Sequence, residues 1–79
     1  MKEITIGNHV RLARVEMSLT QQDLADLTGV TRQTIGLLEA GKYNPTLQLC
    51  MLISKATGKS LDELFWIKGD HHEQVVSKR

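Results

Sequence analysis

Short apolar stripes alternate with polar, glycine-marked joints along this chain, and their spacing predicts five helices. Over residues 8–17, Val10, Ala13, Arg14 and Met17 fall at i, i+3, i+4 and i+7, one face of a first helix that Asn8 or Thr5 can cap. Thr20 precedes the stripe Leu24, Ala25 and Leu27. With Asp23 three residues on, it approximates a capping box, and Gly29 stops that second helix. Thr31 caps a third, in which Ile35 and Leu38 point one way and Arg32, Gln33 and Thr34 another. Gly41 ends it. Lys42 to Pro45 is a loop, since Pro45 holds Asn44 extended. Thr46 caps a fourth helix from Leu47 to Thr57, closed by Gly58. Ser60, boxed with Glu63, opens a short fifth over S-L-D-E-L-F.

The inward faces define a core. Leu49, Ile53 and Ala56 with Cys50 are expected to serve it from the fourth helix, and Leu61, Leu64 and Phe65 to close it. The fourth helix is apolar nearly all round and Leu52 lies off its core stripe, which calls for a second burial partner. Arg14 stands on an apolar face. It either pairs there, because a lone buried charge is costly, or snorkels to solvent. Ser18 follows the first helix; if the backbone is left-handed there, Ser costs up to about 1 kcal/mol relative to glycine. Leu19 is placed to staple the start of the second helix. Ile4 and Ile6 alternate with polar residues in M-K-E-I-T-I-G, a weak strand signal whose other reading is a terminus with Ile6 touching the core. Trp66 to Lys68 is a second extended candidate. Gly69 to Arg79 is polar and expected to be a frayed, flexible tail.

From Thr20 to Lys42 the pattern is a short helix, a glycine turn and a second helix fronted by polar residues. That is the outline of a helix-turn-helix, whose second helix reads DNA. The stretch resembles the helix-turn-helix of the Cro/CI-type (XRE family) repressors at Ala25 where the helices cross, Gly29 in the turn, and Ile35 and Leu38 beneath the second helix. The run R-Q-T-I-x-x-L-E-x-G-K-Y-N-P-T-L, Arg32 to Leu47, is similar to a subgroup of very small members that includes the cytolysin repressor. The resemblance spans roughly residues 8–66. It implies an all-α, five-helix Cro/CI repressor-like DNA-binding domain, with Ile4–Ile6 and Trp66–Lys68 paired in a two-stranded ribbon. It also implies that Arg14 pairs with Glu39 near the end of the recognition helix, and that the chain is a homodimer on double-stranded DNA.

Candidate roles follow residue by residue. Arg32, Gln33 and Thr34 occupy the first turn of the recognition helix; Arg suits guanine O6/N7 and Gln suits adenine N6/N7. Leu37, on the outer face, touches a thymine methyl or is an ordinary surface leucine. Gln21 at the start of the second helix is a phosphate clamp in the resembled family, and otherwise an exposed glutamine. There the loop carrying Lys42, Tyr43 and Asn44 runs along the sugar–phosphate backbone, with Arg11 as a flank contact. Gly36 inside a helix costs up to about 1 kcal/mol relative to Ala, for which close approach to DNA is one reason.

Bulk properties narrow this reading without creating it. Seventy-nine residues allow one domain over 1–79, with a core at 8–66 and no room for a ligand-sensing unit. Such a chain buries about 60–65% of its unfolded surface, so association would help it. The formal net charge is only +1, so a positive face depends on how charges are distributed. One cysteine, Cys50, excludes an internal disulfide and suits a reducing cytosol; it reads as a small core hydrophobe. There is no signal peptide or membrane-length apolar run, so a cytoplasmic protein is expected, and the resemblance implies a bacterial or phage origin. Few aromatics argue against a single-strand binder. Asp70-His71-His72-Glu73 has metal-ligand composition, but consecutive residues rarely converge on one ion, so no metal, cofactor or small-molecule ligand is expected. No nucleophile–base–orienter set or phosphate-binding glycine loop is present, so the chain is not expected to be an enzyme. The leading expectation is a transcriptional regulator, a repressor on a palindromic operator, with activation open. The rival is an antitoxin-like or controller-type interaction module in which Leu12, Val15 and Leu52 dock a protein and DNA binding is secondary.

Overall fold

The computed structural model describes residues 2–68. In chain order the elements are β1 (Thr5–Asn8), α1 (Val10–Glu16), α2 (Gln21–Thr28), α3 (Arg32–Glu39), α4 (Leu47–Thr57), α5 (Leu61–Leu64) and β2 (Phe65–Lys68). The architecture is five helices with one short two-stranded ribbon. The tail at Gly69–Arg79 and the Asp70-His71-His72-Glu73 cluster lie outside the described residues.

Local chemistry explains where the helices begin and end. Thr20, Thr31, Thr46 and Ser60 each sit in extended backbone, and each hydroxyl accepts the backbone N–H three residues on. At Thr20 and Ser60 the carboxylate of Asp23 or Glu63 returns to the cap's own N–H, completing a reciprocal box. Gly29 and Gly58 close α2 and α4 at φ 79° and 75°, where a side chain would be strained. Ser18 takes the same left-handed region at φ 60° without that freedom.

The core is made where helix faces converge. Val10 and Ala13 of α1, Leu24 and Ala25 of α2, Ile35 and Leu38 of α3, Leu49 and Ile53 of α4, and Leu64 of α5 are buried together. Several expected core residues are not among them. Met17 is the C-cap of α1 rather than a member of its buried face, and Leu27 and Leu61 are exposed. Cys50 and Ala56 are half-buried. The buried face of α2 is set by Leu24, Ala25 and Thr28, and Leu27 lies to one side of it, whereas Ala56 packs against the core from its edge. Burial raises the Cys50 thiol pKa.

β1 and β2 pair antiparallel, with Thr5 opposite Lys68, Ile6 opposite Ile67, Gly7 opposite Trp66 and Asn8 opposite Phe65. The ribbon differs from Ile4–Ile6 with Trp66–Lys68: Ile4 lies outside it, and Gly7, Asn8 and Phe65 belong to it. β1 runs to Asn8, so α1 starts at Val10 rather than Asn8, and Phe65 is strand rather than helix. Gly7 is required because the Trp66 indole lies on it: a Cβ there would stand 2.5 Å from the ring. The His9 and Trp66 rings lie with centroids 4.4 Å apart. His9 N–H also donates to the Leu64 carbonyl at 2.9 Å, fastening the ribbon to α5.

Candidate nucleic-acid interface

α2 and α3 pack closely across the turn at Gly29, so the N-terminus of α3 is carried at the surface. The Thr31 hydroxyl accepts the Thr34 N–H at 3.1 Å and lies 3.0 Å from the Thr34 hydroxyl. That contact turns Thr34 back toward its own cap and leaves it half-buried. Arg32 and Gln33 are exposed on the same first turn. Leu37, one turn further, is exposed. After Gly41, at φ 76°, the exposed Lys42, Tyr43 and Asn44 continue from the far end of α3. Tyr43 and Asn44 line a groove against Ile4, Thr5 and Ile6 of the first segment, apart from the first turn of α3. Arg11 is exposed on α1 and shares a shallow depression with Glu39 and Leu12.

The back of α3 is fastened by polar contacts. Arg14 Nε donates to Glu39 Oε2 at 2.7 Å, and Nη2 donates to Oε1 at 3.2 Å. The two side chains are only 11% and 5% exposed, so this is a desolvated, two-point pair. The remaining Arg14 Nη1 donates to the Leu19 carbonyl at 2.9 Å, so the arginine reaches α3 and the α1–α2 corner at once. Asn8 adds a second tie, donating from Nδ2 to the Leu38 carbonyl at 3.0 Å while its Oδ1 accepts the Val10 N–H at 3.1 Å.

Gln21 is half-buried and engaged within the protein. Its Nε2 donates to Glu39 Oε1 at 3.0 Å, and its Oε1 accepts from Arg32 Nη1 at 3.5 Å. Neither contact, nor that of Asn8 to Leu38, was foreseen from the sequence. Helical spacing marks which residues share a face, but not which partner from another helix crosses it.

The electrostatics at this surface are local. The N-terminal N–H groups of α2 and α3 present partial positive charge, and Arg32 adds a full one. Asp23 sits in the first turn of α2 with its carboxyl held below the ordinary range, first by the Thr20 backbone N–H and then by the Thr20 hydroxyl. Glu63 is held down in the same way by Ser60, far from α3 in sequence. Among the described residues no cluster of metal-ligating side chains forms, and no helix is long and apolar enough to cross a membrane.

A capped, surface-borne helix set behind a glycine turn, with exposed Arg and Gln on its first turn, defines a helix-turn-helix nucleic-acid-binding protein. A family model described as helix-turn-helix matches residues 10–64. The chain is 41% identical over 63 residues to an uncharacterised HTH-type transcriptional regulator of Methanocaldococcus jannaschii, covering 80% of this chain and 96% of that one. It is 34% identical over 74 residues to the control protein C.SmaI of Serratia marcescens, covering 94% of this chain and 87% of that one. The crystal structure of the restriction–modification controller protein C.AhdI of Aeromonas hydrophila is similar with a TM-score of 0.64 at 30% identity, over 68% of this chain and 82% of that one. The chain belongs to the XRE (Cro/CI-type) helix-turn-helix family of DNA-binding transcriptional regulators.

Proposed function

We propose that the protein is a repressor that binds a palindromic operator in double-stranded DNA as a homodimer, blocking the promoter beneath it. Arg32 and Gln33 enter the major groove and read base edges, with Thr34 closing the first turn and Leu37 reaching a thymine methyl. Lys42, Tyr43 and Asn44 hold the sugar–phosphate backbone on one flank, Gln21 and Arg11 on the other. In such a dimer the two recognition helices lie about 34 Å apart, one turn of the duplex. The observation that carries this reading is the exposure of Arg32 and Gln33 on a helix whose other end is fixed by a desolvated ion pair.

The similarity to C.SmaI across nearly the whole chain supports a second reading, controller-type regulation that activates as well as represses. A mobility-shift titration on the chain's own upstream region, together with light scattering on the free protein, tests the proposal. Specific retardation by a dimer is expected. A monomer that retards all DNA equally, and gains specificity only when another protein is added, would overturn it in favour of an interaction module. Transcription in vitro from the shifted fragment gives the sign: loss of transcript for a repressor, gain for a controller-type activator.

A further inference from the structure

α3 ends by folding the chain back onto its last carbonyls. The Gly41 N–H donates to the Leu38 carbonyl at 3.0 Å, and the Lys42 N–H donates to the Leu37 carbonyl at 2.8 Å. With Gly41 left-handed between them, these two bonds close the helix and fix the direction in which residues 42–44 leave it. The Leu38 oxygen has a second lone pair, and the Asn8 amide fills it, donating from Nδ2 at 3.0 Å.

Asn8 comes from outside the helix-turn-helix. It is the last residue of β1, opposite Phe65 of β2, and its Oδ1 accepts the Val10 N–H at the start of α1 at 3.1 Å. The direction of the amide follows from chemistry. The Val10 N–H only donates and the Leu38 carbonyl only accepts, so the oxygen faces α1 and the nitrogen faces α3. One half-buried side chain thus joins the ribbon, α1 and the turn after α3. The contact continues along the loop, where Ile4, Ile6 and Phe65 share a groove with Tyr43, Asn44 and Pro45.

We propose that Asn8 is a positioning residue for the loop from Lys42 to Asn44. By holding the Leu38 carbonyl it pins the turn at Gly41 and aims the loop at the sugar–phosphate backbone before DNA arrives. Less loop entropy is then lost on binding. The grip on phosphates is thereby set from the ribbon, beyond the cost of this bond to the fold. The inference rests on the backbone-contacting role proposed for Lys42 and Asn44.

Asn8→Ser and Asn8→Thr are neutral, keep an oxygen for the Val10 N–H two residues on, and are too short to reach Leu38. Threonine also suits a strand, so Asn8→Thr reports if Asn8→Ser melts early. Each is compared with wild type, with Lys42→Ala/Asn44→Ala, and with the combination of that pair and the Asn8 change. All are held at a temperature where circular dichroism shows the chain folded. Anisotropy gives the affinity for the selected duplex and for a random one, and ethylation interference maps the phosphates contacted. Loss of the Asn8 donor should weaken both duplexes by the same factor, roughly threefold to tenfold, the net worth of one hydrogen bond. It should weaken interference at the phosphates that Lys42→Ala/Asn44→Ala identifies, and add nothing in the combined variant. If Lys42→Ala/Asn44→Ala loses affinity and interference while the Asn8 variants bind as wild type, the positioning role is wrong and the backbone-contacting role stands. The same holds if the two losses multiply in the combination. If Lys42→Ala/Asn44→Ala changes neither affinity nor interference, the backbone-contacting role fails and the positioning role with it.

Discussion

The two ends of α3 are held by different means. At its C-terminus, Glu39 is almost fully buried and gripped by Arg14, while Asn8 takes up the Leu38 carbonyl. At its N-terminus a neutral hydroxyl cap satisfies the backbone, and Arg32 and Gln33 stand in solvent. A desolvated charge fixes the end that must not move, because removing one partner leaves the other uncompensated. A neutral cap fixes the other end without consuming the side chains that face outward. Damage at the first end should therefore show in the fold, and damage at the second in binding.

Arg14→Met tests the contrast most severely. It strands the Glu39 carboxylate and should cost roughly 3–5 kcal/mol, a large share of the stability of so small a chain. Thermal denaturation followed by circular dichroism measures it, and a loss of only a degree or two would remove the distinction between the two ends. Adding Glu39→Leu should recover much of the loss, since an apolar pair of similar volume avoids the stranded charge.

At the other end, Gln33→Ala should leave melting within about 0.5 kcal/mol of wild type. It should weaken binding to the selected DNA by about 1–3 kcal/mol. Lys42→Ala should instead weaken all sequences alike and reduce the salt slope by about 1. Anisotropy titrations at several salt concentrations separate these outcomes.

Thr31→Ala removes the cap itself and should lower the denaturant midpoint by the equivalent of about 1 kcal/mol without changing the slope. Gly36→Ala should act in the opposite direction. Its methyl would meet only ordinary contact distances to Gln21, so helix propensity should raise stability by up to about 1 kcal/mol. A lowered midpoint would mean that the floor beneath Gln21 is tighter than this geometry implies.

The smallest effect is the pH dependence of the capping boxes. Asp23 and Glu63 have folded pKa values below their ordinary 3.8 and 4.5. Their stabilisation is therefore fully present above those ordinary values and is lost as pH falls through the depressed ones. Melting temperature should decline on acidification through this range. Asp23→Asn with Glu63→Gln should flatten the decline, and an unchanged acid slope would show that the boxes contribute nothing.

Most of the fold was legible because its punctuation is local. Thr20, Thr31, Thr46 and Ser60 mark helix starts through bonds to N–H groups three residues away, and Gly29 and Gly58 mark ends through a backbone region that suits glycine. What sequence reading missed lies between elements. Leu27 and Leu61 carry the right spacing but remain exposed, and Met17 falls on a cap. The fit of Trp66 onto Gly7 depends on a strand register that no local signal specifies. At the interface, residue types singled out Arg32 and Gln33, whereas the contacts of Gln21 to Glu39 and Arg32 arise only once α2 crosses α3.

The ribbon also sets an order of assembly. β1 and β2 are the first and last described elements, so every helix lies inside the loop that their pairing closes. An isolated pair of such short strands is marginal in water, and closing a long loop costs chain entropy. The helices are therefore expected to pack first and carry the two strands together, with the His9 backbone N–H meeting the Leu64 carbonyl in the assembled array. During synthesis β1 emerges early and waits for its partner until the whole helical array has been made. Folding should accordingly proceed from the middle of the chain outward, with the Trp66 indole settling onto Gly7 as its closing event.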